Sequence, residues 1–303
     1  MPFVSHPVWS FTKACVYRRD RVFVLAHMPE LEEQGIHITQ VFRWSDEWST
    51  FRIEWGCTAL CAMEIPEPGL LSMQPEGRIH VASSSGFTEE HVDNSDEGPA
   101  HRGVLRDIRL IGEHIYVAGM KRQVYRREAP GIWSRQDQGI LIPIEDDSIA
   151  GFNSIAGFSE NNIYAGGWNG EIWHYDGQIW QPIDSPTNIK LEHILCVDSD
   201  TIYTCGQVGT LLKGRPGKFE AIQQDITNDD FWGMTWFNNA LWLATTDAVY
   251  RLDHEDKMQK VDLGIKDVTC GWLHANDGLM WSVGCSHLLS TADGKIWKLE
   301  VLP

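Results

Sequence analysis

The 303-residue sequence lacks the features that mark several large classes of protein. No stretch approaches the roughly 18 consecutive apolar residues that a membrane-spanning helix needs. The first twenty residues contain no apolar core of signal-peptide length, and their positive residues follow the apolar ones instead of preceding them. The seven cysteines are odd in number and most lie in apolar strand patterns, so we expect buried free thiols and no disulfide framework. These observations predict a cytoplasmic protein.

Positive charge is also scarce. The chain has 25 Lys and Arg against 42 Asp and Glu, a formal net charge of −17. Nucleic acids and anionic membranes bind basic surfaces, so this balance argues against both as general partners. It favours a protein partner that is itself basic.

Motifs that would indicate catalysis or metal binding are missing as well. The sequence contains no Gly-x-Ser-x-Gly elbow, no phosphate-binding loop and no His-Glu-x-x-His pair. Cys57 and Cys61 have a C-x3-C spacing, but they lie in the apolar segment CTALC, which favours core packing over zinc binding. We predict no catalytic residue, no metal site and no cofactor.

What the sequence has in abundance is a repeat with Gly-rich turns and tryptophans. Residues 161–180 read as a short apolar strand, a Gly-rich turn, a second strand, an Asp-Gly turn and a closing Trp. The closing segment Asp-Gly-Gln-Ile-Trp of 176–180 returns as Asp-Gly-Lys-Ile-Trp at 293–297. The first strand recurs seven times, centred on Phe23, Leu71, Tyr116, Tyr164, Tyr203, Trp242 and Trp281.

The spacing of these units predicts the fold class. The last three steps are each 39 residues and the earlier ones are 45 to 48, in the range of about 40 to 50 in which four-stranded propeller blades repeat. We predict an all-β, seven-bladed β-propeller of four-stranded antiparallel blades, forming a single domain over 1–303. Six blades with an N-terminal cap is the alternative. The predicted blades are 8–53, 57–92, 103–138, 152–182, 193–222, 231–261 and 268–301.

Three further structural expectations follow from this arrangement. The acidic insertion at 28–35 is expected to form one helical turn, and the polar stretch 88–100 an exposed loop. The ring is expected to close without exchange of a terminal strand, or with 2–5 adding a little pairing. Either closure would leave the junction of the first and last blades as the weakest.

The repeated unit resembles the broad superfamily of WD-repeat-like and sialidase-type Asp-box propellers, in particular degenerate bacterial units. No blade carries the Gly-His and Trp-Asp pair of WD repeats, and the segments at Asp176 and Asp293 are one residue shorter than an Asp box. The resemblance therefore implies a fold and leaves the activity open.

The third predicted blade is unusually basic, and we interpret this as a basic outer surface. A sialidase-like site could use Arg106 and Arg109 with Tyr116, but such a site needs residues that converge from several blades. Eight basic residues between 101 and 135 stand against three acidic ones; the basic set is Arg102, Arg106, Arg109, Lys121, Arg122, Arg126, Arg127 and Arg135.

Candidate binding residues come from loops that a propeller would place on one face. These are the loops between blades and the loops between the second and third strands of a blade. Aromatic side chains among carboxylates are typical of protein-binding patches, with Trp as anchor and charge as steering. The predicted partner-binding residues are Glu32, Glu33, Trp55, Asp146, Asp147, Trp168, Gln207, Asp229, Asp230 and Trp232.

The function that these observations favour is a non-catalytic protein-binding propeller. A small acidic protein with degenerate bacterial repeats looks like an immunity protein, one that blocks a nuclease-like toxin by covering its basic surface. In that hypothesis carboxylates mimic phosphates while Trp168 or Trp232 fills a cleft. The alternatives are a scaffold for a multi-subunit complex and a glycosidase- or lyase-type enzyme with an axial site.

Overall fold

The computed structural model describes residues 9–198 and 200–302 and shows seven four-stranded antiparallel sheets arranged in a ring. Each sheet is made of four strands consecutive in the chain, and the first strands of successive sheets pack against one another in chain order until the seventh meets the first. The predicted seven-bladed β-propeller is confirmed.

The first three blades follow the predicted units with changes at their edges. A four-residue helix, α1 (Pro29–Glu32), interrupts the first blade, as predicted, and α2 (Pro99–Arg102) precedes the third. The strands are β1 (Ser10–Arg18), β2 (Arg21–His27), β3 (Thr39–Trp44) and β4 (Trp48–Ile53); β5 (Ala59–Met63), β6 (Gly69–Met73), β7 (Arg78–Ser83) and β8 (Gly86–His91); β9 (Leu105–Ile111), β10 (His114–Gly119), β11 (Val124–Ala129) and β12 (Ile132–Arg135).

The remaining four blades are more regular. A short 3-10 turn (Trp168–Gly170) lies inside the fourth. Their strands are β13 (Phe152–Ser159), β14 (Asn162–Gly167), β15 (Ile172–Tyr175) and β16 (Trp180–Ile183); β17 (Leu191–Val197), β18 (Thr201–Gly206), β19 (Leu211–Arg215) and β20 (Lys218–Ala221); β21 (Gly233–Phe237), β22 (Ala240–Ala244), β23 (Val249–Leu252) and β24 (Met258–Lys260); β25 (Gly271–Asn276), β26 (Leu279–Gly284), β27 (Leu288–Thr291) and β28 (Lys298–Glu300).

The Asp-Gly-x-Ile-Trp segment shows how sequence sets the local structure. Asp176 Oδ1 accepts backbone N–H groups of Gln178 and Ile179, which folds the turn between β15 and β16. Gly177 adopts a φ of 94°, and a Cβ there would meet the side chain of Asn161. The closing Trp180 is buried and donates its indole N–H to the carbonyl of Gln136, in the preceding blade. The equivalent Trp297 is also buried and packs edge-on against Trp242 of the preceding blade, so the repeated Trp joins neighbouring blades.

The core lies between the blades. The buried apolar side chains form clusters that mostly combine two adjacent sheets; one joins β21–β24 with β25–β28, and another joins the first blade with the last. Five of the seven cysteines are buried free thiols, as expected, whereas Cys196 is half-buried and Cys285 is exposed.

Two local predictions were wrong. Residues 88–91 are not loop, because they belong to β8, whose alternation turns Glu90 inward towards the third blade. Cys57 precedes β5, so the C-x3-C pair does not share one strand, although both thiols are buried. The possible pairing of residues 2–5, and Val8 as the first residue of blade 1, lie outside the described residues.

The ring closes without strand exchange among the described residues, since β1 and β28 each belong to a sheet of four consecutive strands. Because the chain alternates direction within each blade, loops between blades and loops between second and third strands lie on one face, which we call the upper face. Among residues 9–198 and 200–302, none of the helices could span a membrane.

Candidate functional site

All ten predicted binding residues lie in upper-face connections or at their edges. Glu32 is the last residue of α1 and Glu33 follows it, in the connection between β2 and β3. Trp55 lies in the connection between the first two blades. The other seven extend from the junction of blades 3 and 4 to the junction of blades 5 and 6. The structure therefore brings seven of the ten residues to one side of the ring.

Hydrogen bonds between loops make this side continuous. Asn169 donates its side-chain amide to the carbonyl of Ile149 at 3.0 Å, which ties the blade 4 turn to the preceding connection. Gln207 N–H donates to the carbonyl of Lys190 at 3.0 Å, and Val208 N–H donates to Asp230 Oδ1 at 2.9 Å. We call this surface the acidic arc; it consists of Asp146, Asp147, Ile149, Trp168, Gln207, Val208, Ile226, Asp229, Asp230 and Trp232.

The carboxylates of the acidic arc hold their own loops in shape. Asp146 Oδ1 accepts the N–H of Ser148 at 2.7 Å, and the hydrogen bonds from Ser148 keep the pKa of Asp146 below its usual value. Asp229 accepts the hydroxyl of Thr227 at 2.7 Å. These bonds fix where the negative charges stand before a partner arrives, which lowers the ordering cost of binding.

Large apolar side chains are exposed between these carboxylates. Ile149 is 61% exposed, Val208 59%, Ile226 49% and Trp232 39%. The sequence reasoning did not select the three aliphatic residues, although Ile149 lies two residues after Asp147, Val208 follows Gln207 and Ile226 follows Asp225. An apolar centre with a charged rim is the composition of a protein-binding patch.

Trp168 and Trp232, the two proposed anchors, differ in availability. Trp168 is half-buried, and the Lys190 ammonium lies 4.5 Å from its ring centroid. Trp232 is exposed and stands at the boundary between the arc and the central axis. Trp232 is therefore the side chain that a partner can reach without rearrangement.

Trp55, Glu32 and Glu33 stand apart from the acidic arc, on blades 1 and 2. The guanidinium of Arg78 covers the Trp55 ring at 3.6 Å, and His80 packs against it edge-on. Glu32 lies 3.5 Å from the Nδ1 atom of the buried His27. Trp55 is therefore already packed within its own blades.

The basic outer surface predicted for blade 3 was wrong for most of its members. Arg127 is buried against Glu90 of blade 2, and Arg102 is buried against the carbonyl of Ile142. Arg109 turns to the axis of the ring. Arg122, Arg126 and Arg135 are paired with Glu171, Glu128 and Asp137 respectively. The clustered arginines serve contacts within and between blades, which a count of charges along the chain cannot distinguish from exposure.

The axis carries polar residues that the sequence reasoning did not recognise as a group. In the first strand of every blade, one residue pairs with the residue that lies two places after the centre of the repeat in the second strand. This equivalent position is occupied by Lys13, Asp107, His193 and Trp272 in blades 1, 3, 5 and 7. The same position holds Ala59, Ser154 and Gly233 in the other blades. Reading this one position across the seven units would have revealed the group.

These axial residues link non-adjacent blades. Arg109 Nε donates to Asp107 Oδ2 at 3.2 Å, and its Nη2 lies 2.7 Å from Nε2 of His193, on blade 5. The imidazole of His193 stacks on the indole of Trp272, with centroids 5.0 Å apart. The ammonium of Lys13 lies 4.4 Å from the centroid of the same indole.

Burial shapes the protonation of this group. It lowers the pKa of the Lys13 ammonium to about 8 and that of His274, one level below, to about 3. The pKa of His193 lies well below its ordinary value because of burial and the neighbouring Arg109. Burial opposes ionisation of Asp107, but Arg109 and Lys13 outweigh it and lower its pKa. Both histidines are therefore neutral at pH 7, while Asp107 is charged.

Two further features bear on chemistry at these sites. A cavity of about 660 Å³ lies over the axial residues and is lined by side chains from all seven blades, including Lys13, Arg106, Trp232 and Trp272. Within 9–198 and 200–302 no group of three or more His, Cys, Asp or Glu side chains is placed to hold a metal ion.

Comparison with known proteins places this geometry in context. No protein-family model matches the chain. The immune protein Tsi7 of Pseudomonas aeruginosa strain PAO1 is 34% identical over 298 residues, covering 96% of this chain and 97% of the relative.

Solved structures support the fold alone. A streptogramin B lyase structure is similar with a TM-score of 0.72 at 14% identity, covering 98% of this chain and 96% of that one. YCF48 from Cyanidioschyzon merolae is similar with a TM-score of 0.69 at 12% identity, covering 95% of this chain and 96% of that one. Identities this low carry no conclusion about activity.

Proposed function

The chain belongs to the family of the immune protein Tsi7, and from that premise we propose that it is a non-catalytic immunity protein that binds a toxin through the acidic arc. The observation that carries the choice of surface is the exposure of Ile149, Val208, Ile226 and Trp232 between fixed carboxylates. Their exposure on a rigid scaffold is a cost to an isolated protein and is relieved when a partner covers them.

We further propose that the partner surface is basic and that the toxin is nuclease-like. The chain carries a net charge of −17. Within the arc, Asp146 and Asp147 lie in the connection between blades 3 and 4, and Asp229 and Asp230 lie in the connection between blades 5 and 6. Carboxylates held at fixed positions can occupy the phosphate-binding positions of a nucleic-acid-binding cleft. The cationic surface that attracts nucleic acid would then also attract the inhibitor. Such a complex would form in the cytoplasm, where a nuclease meets its substrate.

The arrangement of the arc suggests a division of labour. Trp232 and the three aliphatic side chains would enter an apolar part of the toxin's cleft and supply most of the affinity, as central anchors do in other interfaces. The four aspartates would steer association and fix the register. Removing the charges should therefore slow association more than it speeds dissociation.

The test is capture of partners by the tagged protein from its native host at moderate salt, followed by mass spectrometry. The arc variant changes Asp146, Asp147, Asp229 and Asp230 to Asn, which keeps the side-chain oxygens that accept the loop hydrogen bonds. We expect one abundant basic partner with the natural protein and at least a tenfold lower yield with the variant. High salt should lower the yield in the same way, because exposed charges are screened beyond about 10 Å at 0.1 M salt.

A matched control separates location from total charge. The control variant combines Asp20→Asn, Asp46→Asn, Glu47→Gln and Glu113→Gln, all exposed and all in turns on the opposite face. It changes the net charge from −17 to −13, as the arc variant does. Equal loss of partner in both variants would contradict a localised site, and capture of several unrelated proteins would favour a scaffold instead.

A further inference from the structure

We propose that the axial cavity binds an organic carboxylate, held by the ammonium of Lys13 and the guanidinium of Arg106 against the indole of Trp272. The inference does not depend on the toxin-binding proposal, since it concerns a cavity at the centre of the ring. The carboxylate could belong to a free small molecule or to a side chain of a protein partner, and the experiment below distinguishes the two.

The first argument is that two cations line the cavity without a partner. Among residues 9–198 and 200–302, neither Lys13 nor Arg106 makes a side-chain hydrogen bond or an ion pair, although both border the same cavity. Lys13 is half-buried with its ammonium 4.4 Å from the centroid of the Trp272 ring, whereas Arg106 is exposed. Partial burial lowers the pKa of Lys13, and this cost to its charged form is relieved when an anion compensates it.

The second argument is that the two carboxylates near Lys13 are already engaged by other groups. Asp107 accepts the hydroxyl of Ser154 at 2.9 Å and the N–H of Ile155 at 3.1 Å, and it also accepts Arg109. Glu192 lies 2.8 Å from the ammonium of Lys190. Asp107 partly compensates the charge of Lys13 from a distance, but neither carboxylate forms an ion pair with Lys13 or Arg106. The two cations that line the cavity therefore outnumber its one lining carboxylate, that of Glu192.

The third argument concerns the shape and lining of the site. A cavity of about 660 Å³ lies in the range of small-molecule sites. Besides the two cations, its walls include apolar side chains, among them Phe11, Leu105 and Val283. Two single charges beside apolar walls suit a carboxylate attached to an apolar body better than a bare inorganic anion.

Access comes from the upper face. Trp232, which belongs to the acidic arc, also lines the cavity, as do Thr246 and Cys285 from upper-face connections of blades 6 and 7. A ligand would therefore enter beside the arc, so a bound partner could deliver a carboxylate or seal one in.

Isothermal titration of the full chain with three probes tests the proposal. The probes are 3-phenylpropionate, its neutral analogue 3-phenylpropionamide, and the blocked dipeptide acetyl-Phe-Glu-amide. We expect saturable one-to-one binding of at least one carboxylate probe and no binding of the neutral amide. Lys13→Gln and Arg106→Gln should each weaken binding about tenfold or more, because each removes a charge-assisted contact. Lys295→Gln, an exposed charge on the opposite face, should leave it unchanged.

The outcomes are distinct. Tighter binding of 3-phenylpropionate supports a free carboxylate, and tighter binding of the dipeptide supports a carboxylate from a protein chain. Binding of the amide as tightly as the acid would overturn the proposal, as would affinity that neither Lys13→Gln nor Arg106→Gln changes. Failure of this site leaves capture of the toxin by the arc untouched, so the two proposals fail separately.

The pH dependence of affinity, measured for the natural protein and for Lys13→Arg, tests whether the charge of Lys13 binds the ligand. A lysine with only a structural role would not produce this dependence. The charged and titratable groups around Lys13 are Asp107, Arg109, Arg106, Glu192 and His193, and the thiols of Cys270 and Cys285 line the same cavity. Affinity for the carboxylate probe should fall as pH rises through about 8, where Lys13 loses its proton. Lys13→Arg should retain its affinity to pH 9.5, and an equal fall in that variant would contradict the role of Lys13.

Discussion

The junction between blades 2 and 3 and the junction that closes the ring solve the same packing problem in different ways. The first junction buries an ion pair, in which the Nε and Nη2 N–H groups of Arg127 donate to the Glu90 carboxylate at 2.9 and 2.5 Å. The indole N–H of Trp133 donates to the same carboxylate. Apolar side chains surround the pair, and Asp93 of blade 2 makes further polar contacts with Tyr125 and Arg135 of blade 3. Such a pair depends on both partners, because each alone would be an uncompensated buried charge.

The closing junction between blades 7 and 1 relies instead on side chains that bond the backbone of the neighbouring strand. His274 Nδ1 accepts the N–H of Val16 at 3.1 Å, and Trp272 donates its indole N–H to the carbonyl of Ala14 at 3.0 Å. Asn276 donates to the carbonyl of Tyr17 at 2.8 Å. Beneath them Trp281 is fully buried against Trp44 and Trp48.

The difference teaches how a propeller can close without exchanging a strand. The missing inter-blade ladder is replaced by several independent bonds to β1, so loss of one leaves the others in place. The ion pair between blades 2 and 3 cannot be divided in this way, because removal of either partner leaves the other as a buried charge without compensation. The following predictions test this contrast, from the largest expected effect to the smallest.

Glu90→Ala should have the largest effect on stability. It leaves the buried guanidinium of Arg127 without its carboxylate partner and removes the hydrogen-bond acceptor of Trp133. We therefore expect a loss of about 3–5 kcal/mol in the free energy of unfolding. Urea denaturation would measure it. Glu89→Ala is the matched control, because Glu89 forms a similar pair with Arg78 that is exposed, and it should cost no more than about 1 kcal/mol.

The double variant Glu90→Leu with Arg127→Met separates charge from packing. Because it removes both buried charges and keeps apolar volume, it should recover most of the stability lost in Glu90→Ala. A double variant as unstable as the single one would show that the pair holds the blades by geometry and not by charge compensation.

His274→Leu should have a smaller effect at the closing junction. It leaves the N–H of Val16 without its acceptor, which costs about 1–3 kcal/mol, while Trp272 and Asn276 keep their bonds to β1. His254→Leu, at an exposed turn position, serves as control and should change the free energy of unfolding by less than about 0.5 kcal/mol. A loss as large as that of Glu90→Ala would refute the redundancy of the closing bonds.

The histidines of the axis also predict a pH dependence. The folded pKa of His274 is about 3, below the ordinary value of 6.5, so the unfolded chain binds more protons between these two values. The free energy of unfolding should therefore fall as pH decreases below about 6.5, by up to about 1.4 kcal/mol per pH unit for each such histidine. His193 has the same sign.

His274→Leu removes one of the two titrations, so its stability should decline less steeply with acid than that of the natural protein. Denaturation at several pH values between 6.5 and 5 would compare the slopes. Identical slopes would mean that His274 is protonated in the folded protein.

How much of this could be read from the sequence depends on what the pattern encodes. The repeated strand, Gly turn and Trp determine the blade because each is a local feature, and the upper face follows from chain direction alone. Side-chain direction in the first strands was not predictable in this way, since both faces of these strands are buried and apolar alternation is lost. Arg109 was therefore interpreted as a surface residue, and His193 and Trp272 were not singled out.

The linear sequence also does not show whether a charged residue is buried or exposed. Glu90 belongs to the polar run 88–100 by composition, yet its carboxylate is the centre of a buried junction. The basic residues of blade 3 looked like a surface because their partners, Glu90 and Glu171 among them, are 37 and 49 residues away along the chain. Only the ring brings them together.

Hydrogen exchange provides the finest test of the contrast, because it addresses each junction separately. The sequence led us to expect the closing junction to be the weakest, whereas its contacts favour equal protection. The N–H of Val16 donates to His274 of the preceding blade, and bonds of the same kind occur inside the ring, where the N–H groups of Ile155 and Met234 donate to Asp107 and His193. We expect the exchange free energies of the three amides to agree within about 1 kcal/mol, with all three exchanging only on large-scale opening. Markedly faster exchange at Val16 alone would support the expectation from the sequence, because it would show that the junction of blades 7 and 1 opens before the other junctions.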